Sequence, residues 1–325
     1  MLSVSSVVKN CGRCGTANRE ALTETVMRIL ISGASGLIGR ALTRALAAKG
    51  DEPVALVRRA PSQGEVQWNP VEPLDPEKLA GCDAVVHLAG KNIAGRWTEK
   101  FKQEVRESRV KGAQTLANAA AEAYRRTGRP RAFICASAIG YYGNRGDEVL
   151  TEESSPGTGY LADVSLQWEA ATNPARDAGV RVVNLRIGVV LARDGGALPS
   201  MLLPFRLGLG GRIGSGQQYW SWVSLDDVAG VILFALHGDS LHGPVNVVSP
   251  EPARTEDFVR ALGEELHRPT IFPLPAFVVH TLFGEMGDTA LLGSARVEPA
   301  KLKAAGYQFR YPHLKDALRA ALAPA

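Results

Sequence analysis

Three glycines spaced three residues apart carry the clearest chemical signal in the sequence. They lie at positions 33, 36 and 39, at the end of the stretch RILISGASGLIG that begins at Arg28. Strand-forming residues precede the first glycine, and an amphipathic run of helix formers follows from Leu37 to Lys49. Glycine permits a tight turn, close approach of a ligand, and close packing of helix on strand. The stretch therefore predicts a strand, a turn and a helix whose N-terminus binds a diphosphate.

The spacing Gly-x-x-Gly-x-x-Gly differs from the commoner dinucleotide turn, Gly-x-Gly-x-x-Gly. An ordinary strand-to-helix turn is the alternative, but the position directly between a strand and a helix favours nucleotide binding. The cofactor-binding residues predicted in this turn and helix are Gly33, Ser35, Gly36, Leu37, Ile38 and Gly39.

The second predicted strand, Pro53 to Val57, is followed by Arg58 and Arg59. At this place an NAD site carries an acidic residue that accepts hydrogen bonds from the ribose, whereas arginine pairs with the 2′-phosphate of NADP. A solvated arginine pair is the alternative. The sequence favours NADP(H) as the cofactor.

A buried parallel strand is predicted from Ala84, ending in a glycine turn at Gly90. The carboxyl end of such a strand faces the cofactor, which adds Leu88, Ala89 and Gly90 to the predicted binding residues. His87 lies inside this strand, and we interpret it as a core histidine.

Strands and helices alternate through residue 186, which is typical of a parallel sheet with helices on both faces. Later elements include a long helix from Trp97 to Tyr124, a strand from Arg131 to Ser137, and a helix from Leu161 to Ala178. The predicted fold class is α/β, a Rossmann-type doubly wound parallel sheet with a smaller C-terminal substrate lobe.

The predicted organisation has three parts. Residues 1–26 form an extension, expected to be flexible, that lacks the apolar segment of a secretory signal; a start at Met27 or a short targeting segment is the alternative. Residues 27–190 form the nucleotide domain, to which 224–250 return. The substrate lobe comprises 191–223 and 251–325, and its glycine-rich loops between Arg206 and Trp222 are interpreted as a lid.

Composition excludes several functions. The chain of 325 residues is 45% hydrophobic and 22% charged, which indicates a globular protein, and it lacks the apolar run of a membrane span. Its net charge of +4 is spread without a dense basic stripe, so a small anionic ligand is a better partner than nucleic acid. We expect no nucleic-acid or membrane partner.

The four cysteines are too few for a disulfide framework in a chain of this length, which favours a reducing compartment. We expect a cytoplasmic protein. Cys11 and Cys14 have the spacing of metal ligands, but no second cysteine or histidine pair accompanies them, so no metal site is predicted.

The motifs together resemble the extended short-chain dehydrogenase/reductase superfamily. They occur in its usual order: Gly33-x-x-Gly36-x-x-Gly39, His87-Leu88-Ala89-Gly90, Ser137-x-x-x-x-Tyr142-Gly143 and Asp226-Asp227-Val228. More narrowly, the chain resembles an atypical epimerase-like branch sometimes named after cell-division inhibitors, through the segments 92–97, 107–110, 203–211 and 282–286 together with Pro269. This resemblance covers residues 27 to about 320. It implies a nucleotide-binding sheet, a C-terminal domain of unknown function and a preference for NADP.

The catalytic pattern of that superfamily is incomplete here. The resemblance implies a Ser or Thr that positions a substrate oxygen, a Tyr that transfers its proton, and a Lys four residues later that lowers the Tyr pKa. The usual Ser/Thr position falls on Ala138, one residue after Ser137. Tyr160 would pair with Val164, and in the other register Leu161 and Ser165 take the Tyr and Lys positions. Residues 112–300 contain no lysine.

We therefore predict a degenerate triad with Ser137, Tyr142 and Tyr160 as candidate catalytic residues. Ser165 is predicted to lie at the cofactor. Glu104 and Arg109 on the long helix are predicted to line the cofactor and substrate pocket with Tyr141, Tyr142 and Tyr160. For each of them a surface ion or a packed aromatic ring is the alternative.

Two functions remain open. The leading one is an NADP(H)-dependent oxidoreductase or epimerase-like enzyme for a small carbonyl or alcohol substrate. An anionic substrate would fit this function. The second is a non-catalytic NADP(H)-binding regulator linked to cell division or redox state, favoured by the missing lysine. The glycine-rich lid favours the enzyme. Superfamily members often form dimers, an analogy that leaves a homodimer open.

Overall fold

A parallel β-sheet organises the molecule in a computed structural model that describes residues 26–323. The strands are β1 (Arg28–Ser32), β2 (Glu52–Val57), β3 (Glu65–Gln67), β4 (Ala84–His87), β5 (Ala132–Ala138), β6 (Val149–Leu150), β7 (Arg181–Ile187), β8 (Val189–Ala192), β9 (Gly195–Gly196), β10 (Tyr219–Trp220), β11 (Trp222–Ser224), β12 (Gly243–Val247), β13 (Ala253–Arg254) and β14 (Arg296–Val297).

The helices are α1 (Leu37–Lys49), α2 (Glu99–Thr127), α3 (Tyr160–Ala170), α4 (Asn173–Asp177), α5 (Leu198–Arg206), α6 (Leu225–His237), α7 (Thr255–Leu266), α8 (Ala276–Ala290), α9 (Ala300–Ala304) and α10 (Leu314–Leu322). Two short 3-10 helices cover Pro76–Leu79 and Ile139–Tyr142.

The central sheet has seven strands in the order β12-β7-β5-β4-β1-β2-β3, and every neighbouring pair is parallel. The predicted Rossmann-type fold is confirmed. The strand order reverses between β1 and β4, where Ser32 lies opposite His87. In sheets of this kind, ligands bind in the crevice beyond the carboxyl ends of the two strands at such a reversal. The fold therefore places the Gly33 turn and the Leu88 loop side by side.

The buried apolar side chains form two large hydrophobic cores and a small third cluster around Tyr142. The larger surrounds the central sheet and includes Ile29, Val85 and Phe133, all fully buried. The smaller lies in the C-terminal lobe and includes Trp220 and Trp222, which are 6% and 0% exposed. These tryptophans therefore hold the lobe together, and they do not line a lid as the sequence suggested.

The predicted helix from Leu161 to Ala178 is two helices, α3 and α4. The side-chain hydroxyl of Thr172 donates to the carbonyl of Glu169 at 2.7 Å, and Pro174 lies in the first turn of α4. Proline has no N–H to donate, so it is tolerated in the first turn of a helix but not in the interior. The helix therefore ends before Pro174, and a new helix begins there.

The C-terminal segment belongs to both cores. The segment 224–250 supplies α6 and a strand at one edge of the central sheet, β12. Helix α9 also packs on β12, and its Leu302 is buried in the larger core. Helix α9, which the sequence analysis placed in the substrate lobe, therefore contacts the central sheet.

Cys82 and Cys135 are buried free thiols, whereas Cys11, Cys14 and nearly all of the predicted extension lie outside the described residues. Within residues 26–323, no group of three or more His, Cys, Asp or Glu side chains is arranged to hold a metal ion. No helix in that same range is both long and apolar enough to cross a bilayer.

Candidate functional site

Two of the three motif glycines are required by the packing of the protein itself. Gly33 has a φ of +78°, and a Cβ there would lie 2.8 Å from the backbone N of Ala89 in the β4 loop. A Cβ on Gly39 would lie 2.1 Å from the carbonyl oxygen of Gly33. Neither distance is available to a real side chain, so these glycines bring β1, α1 and the β4 loop together.

Gly36 is different, because the protein leaves the space beside it largely open. Its nearest neighbour would be the Gly33 carbonyl oxygen, 3.2 Å from an added Cβ. Gly36 is the N-cap of α1, no side chain caps the helix, and its first turn contains no acidic residue. Unpaired N–H groups and the positive end of the helix dipole thus face outward beside an exposed Ser35. These features fit a bound diphosphate.

The two arginines after β2 are not equivalent. The Arg59 guanidinium donates to both carboxylate oxygens of Glu65 at 2.8 and 2.6 Å, and this pairing raises its pKa. Arg58 is exposed and makes no hydrogen bond or ion pair within residues 26–323. Arg58 is therefore the arginine available to a 2′-phosphate, while Arg59 secures β3 against β2.

Helix α2 brings Arg109 to the carboxyl end of β4. A Cβ on Gly90 would lie 3.5 Å from the guanidinium carbon of Arg109. This guanidinium donates to the carbonyls of Lys91 and Val105 at 2.9 and 3.1 Å, and it lies 5.2 Å from the ring of Trp168. Burial lowers the pKa of Arg109. The structure thus places Arg109 beside the predicted cofactor loop.

Tyr160, at the start of α3, lies in the same region. Its hydroxyl donates to the carbonyl of Lys102 at 2.6 Å, and its ring packs edge-on against Trp97 at 5.1 Å. Burial raises the pKa of Tyr160, although the positive charges of Arg109, Arg106 and Lys102 oppose that rise. A phenol in this state keeps its proton at neutral pH and is a poor general base.

Glu104 and Ser165 occupy less direct positions. The Glu104 carboxylate forms an ion pair with the Lys91 ammonium, which also lies 4.5 Å from the ring centroid of Phe101. Glu104 is therefore tied to the loop after β4 by its ion pair with Lys91. Ser165, at the position expected for the catalytic lysine, is buried within α3.

The structure does not support catalytic roles for Ser137 and Tyr142. The Ser137 hydroxyl donates to Glu169 at 2.8 Å, and Glu169 is paired through both oxygens with Arg186 at 2.8 and 2.9 Å. Tyr142 is fully buried, and its hydroxyl accepts from Arg186 at 3.0 Å and lies 2.7 Å from Oδ1 of Asn246. Burial raises the pKa of Tyr142 to about 12. Both hydroxyls are hydrogen-bonded to side chains of the core.

Sequence reasoning missed Lys102 and Arg106 as site residues. Lys102 lies four residues before Arg106, and Arg106 lies three residues before Arg109, which places all three on one helical face. This spacing was the signal that could have identified them once Arg109 was a candidate.

His87 is a core residue, as interpreted from the sequence. It is fully buried, its Nδ1 lies 2.6 Å from the Ser32 hydroxyl, and its Nε2 has no partner among the described residues. Burial lowers the pKa of His87 to about 4. The imidazole is therefore neutral at physiological pH.

This pKa predicts a contribution of His87 to acid sensitivity. Between pH 6.5 and 4 the unfolded chain binds more protons at His87 than the folded protein does, so stability falls as pH falls. When the pH falls from 7.5 to 4.5, the free energy of unfolding of wild type should decrease by about 2 to 3 kcal/mol more than that of His87→Gln. Urea unfolding at both pH values measures this difference. Equal pH dependence in the two proteins would contradict it.

Comparison with known proteins places this geometry in context. The profile of the NAD dependent epimerase/dehydratase family matches residues 29–248, and a domain of unknown function matches 274–321. An epimerase family protein of Mycobacterium bovis is 45% identical over 293 residues, covering 89% of this chain and 96% of the relative. The epimerase family protein SDR39U1 of Homo sapiens is 41% identical over 301 residues, covering 90% of this chain and 99% of the relative.

A solved structure of that human protein, isoform 2, was determined with NADPH. It superimposes on this chain with a TM-score of 0.82 at 38% identity, covering 91% of this chain and 99% of the human one. The similarity therefore includes both the nucleotide-binding sheet and the C-terminal lobe.

Proposed function

Because the chain belongs to the NAD dependent epimerase/dehydratase family, we propose that it is an NADP(H)-dependent oxidoreductase or epimerase-like enzyme for a small carbonyl or alcohol substrate. The observation that carries the choice of NADP(H) is the unpaired Arg58 beyond β2, on the same edge of the sheet as the uncapped N-terminus of α1. The human relative solved with NADPH supports the same choice.

Each part of the site has a distinct task in this proposal. The N-terminus of α1 binds the diphosphate at the open face of Gly36, and Arg58 binds the 2′-phosphate. When bound, the nicotinamide cofactor supplies the hydride chemistry. Arg109 lies against Gly90 at the end of β4 and contributes positive charge where a substrate oxygen would be oriented.

The proton in such a reaction does not come from a conventional Tyr–Lys pair. The Tyr160 hydroxyl already donates to the backbone carbonyl of Lys102. Leu161, which takes the Tyr position in the other register, has no hydroxyl and packs 3.1 Å from the position of a Cβ on Gly140. Lys102 lies 5.4 Å from the Tyr160 ring, but Glu99 and Glu285 are paired with its ammonium at 3.1 and 3.0 Å. Tyr160 would therefore act as a hydrogen-bond donor that orients a substrate oxygen, and not as a base.

The same hydrogen bond favours a second candidate function, a non-catalytic NADP(H)-binding regulator. In that case the phenol stays bound to the Lys102 carbonyl and no substrate replaces it. A panel of carbonyl compounds incubated with the protein and 4-deuterated NADPH separates the two functions. Deuterium in any alcohol product supports the enzyme. Tight NADPH binding without transfer to any member of the panel supports the regulator.

The cofactor assignment is tested by removing each arginine separately. Arg58→Ala should weaken NADPH binding by at least about tenfold and leave NADH binding nearly unchanged, because only NADPH carries the 2′-phosphate. Arg59→Ala should have a much smaller effect on NADPH, since Arg59 is already paired with Glu65. Fluorescence titration of both nucleotides measures this. Equal affinities of wild type and Arg58→Ala for NADPH would refute the assignment.

A further inference from the structure

The first half of α2 presents a row of cations to Tyr160. The ammonium of Lys102 lies 5.4 Å and the guanidinium carbon of Arg106 lies 5.8 Å from the centroid of the Tyr160 ring. Arg109 follows on the same face and acts electrostatically on the same phenol, while Glu285 of α8 is the acidic group that faces it. Positive charge therefore exceeds negative charge around Tyr160.

The available carboxylates are already paired with lysines. Glu99 and Glu285 neutralise Lys102, and Glu104 neutralises Lys91. Within residues 26–323, Arg106 has neither a hydrogen bond nor an ion-pair partner, and its Nε is buried without an acceptor. A partly desolvated guanidinium without a partner is unfavourable unless it gains one.

Arg109 reinforces this imbalance. The acceptors of its guanidinium are two backbone carbonyls, and no carboxylate is paired with it among the described residues. Burial lowers its pKa, in keeping with a guanidinium whose hydrogen-bond acceptors are uncharged. Arg106 and Arg109 thus form two neighbouring guanidiniums that lack an anion.

The position of Arg106 indicates which molecule would supply that anion. One turn toward the C-terminus of α2, Arg109 touches the Gly90 loop at the proposed cofactor end. One turn toward the N-terminus, Lys102 is paired with Glu285 of the C-terminal lobe. Arg106 therefore lies between the cofactor loop and the lobe, where a substrate of the proposed enzyme would lie.

We propose that Arg106, together with Arg109, binds an anionic oxygen group of the substrate, either a carboxylate or a phosphoryl group. This inference rests on the proposed function for the identity of the ligand as a substrate. The planar fork of guanidinium donors matches two oxygens of such a group, and the partly buried setting strengthens the interaction. Binding of this anionic group would hold the reacting carbonyl or alcohol of the same substrate beside the Tyr160 ring.

Anion titrations of the full chain test the site without a known substrate. Inorganic phosphate and acetate are titrated separately at constant ionic strength into protein saturated with NADPH, so that the proposed diphosphate and 2′-phosphate sites are filled. Tryptophan fluorescence reports binding, because Trp97 packs against Tyr160. Tighter binding of phosphate would assign a phosphoryl group, and tighter binding of acetate would assign a carboxylate.

Arg106→Gln should weaken the better anion by at least about tenfold, and Arg106→Lys should restore part of the affinity. Arg125→Gln is the matched control, because it removes the same charge from the exposed far end of α2 and should leave anion binding unchanged. Equal anion affinity in wild type and Arg106→Gln overturns the inference, as does the absence of saturable binding of both anions.

The outcome is separable from that of the proposed function. Deuterium transfer from NADPH, together with equal anion affinity in wild type and Arg106→Gln, would preserve the enzyme and remove the anion site. Anion binding that depends on Arg106 without any hydride transfer would preserve the site and remove the enzyme.

Discussion

Replacing Gly36 with alanine is expected to weaken NADPH binding by at least about a hundredfold while leaving the fold intact. The added methyl group would make one tight contact, 3.2 Å from the Gly33 carbonyl oxygen, which a shift of a few tenths of an ångström in the turn relieves, and the space elsewhere is open. The same methyl group would occupy the face where a diphosphate approaches the first turn of α1. NADPH fluorescence titration measures the affinity, and urea unfolding measures the stability.

Two other glycines serve as controls for Gly36→Ala. Gly39→Ala should destabilise the protein itself, since its Cβ would lie 2.1 Å from the Gly33 carbonyl oxygen. Gly50→Ala, at the far end of α1, should cost about 1 kcal/mol through its φ of +91° and leave NADPH affinity unchanged. If Gly36→Ala bound NADPH as wild type does, the diphosphate would not lie at this turn.

The fold could be predicted because its signals are local. The turn after β1 and the apolar runs of β2, β4 and β5 each lie within a few residues of sequence, and their alternation with helices leaves few topologies. The break between α3 and α4 was less visible, because apolar spacing continues across it and Pro174 alone marks it. The packing of α9 on β12 is a contact between distant segments, for which the sequence carries no short-range signal.

The predicted cofactor site shows the same distinction. The roles of Gly33 and Gly39 follow from the local turn, and the structure gives each a steric reason. The choice between Arg58 and Arg59 could not be made from the sequence, because it depends on which guanidinium Glu65 engages. Adjacent side chains at the end of a strand point in different directions. The Arg59 side chain is therefore paired with Glu65, while the Arg58 side chain is available to a ligand.

The hydrogen-bond partners of two predicted catalytic residues could not be predicted, because these partners are distant in sequence. Motif position suggested Ser137 and Tyr142, but their hydroxyls are engaged by Glu169, Arg186 and Asn246, and Asn246 is 104 residues from Tyr142. Helical spacing does not report such partners. The charged residues that bind one another in this core were also unremarkable in the sequence, although an arginine inside an apolar strand such as β7 is a signal that a buried acid is nearby.

The buried pair Arg186 and Glu169 supports the second large prediction. Arg186→Met should destabilise the protein by about 3 to 5 kcal/mol, because the Glu169 carboxylate would keep its burial and lose its cation. The pair is well shielded, with side-chain exposures of 3% and 12%, and the Glu169 charge and hydrogen bonds outweigh desolvation to raise the pKa of Arg186. Urea unfolding at neutral pH measures the loss.

A surface pair and a double variant show whether this loss comes from an uncompensated charge. Arg126→Met removes one of two arginines paired with Glu122, in a pair whose side chains are 51% and 41% exposed, and it should cost less than about 1 kcal/mol. Combining Arg186→Met with Glu169→Met should recover part of the loss, since no buried charge then remains unpaired. A single Arg186→Met variant as stable as Arg126→Met would mean that water reaches Glu169. The network through Ser137 and Tyr142 would then not be part of the core, and their hydroxyls would again be candidates for the substrate.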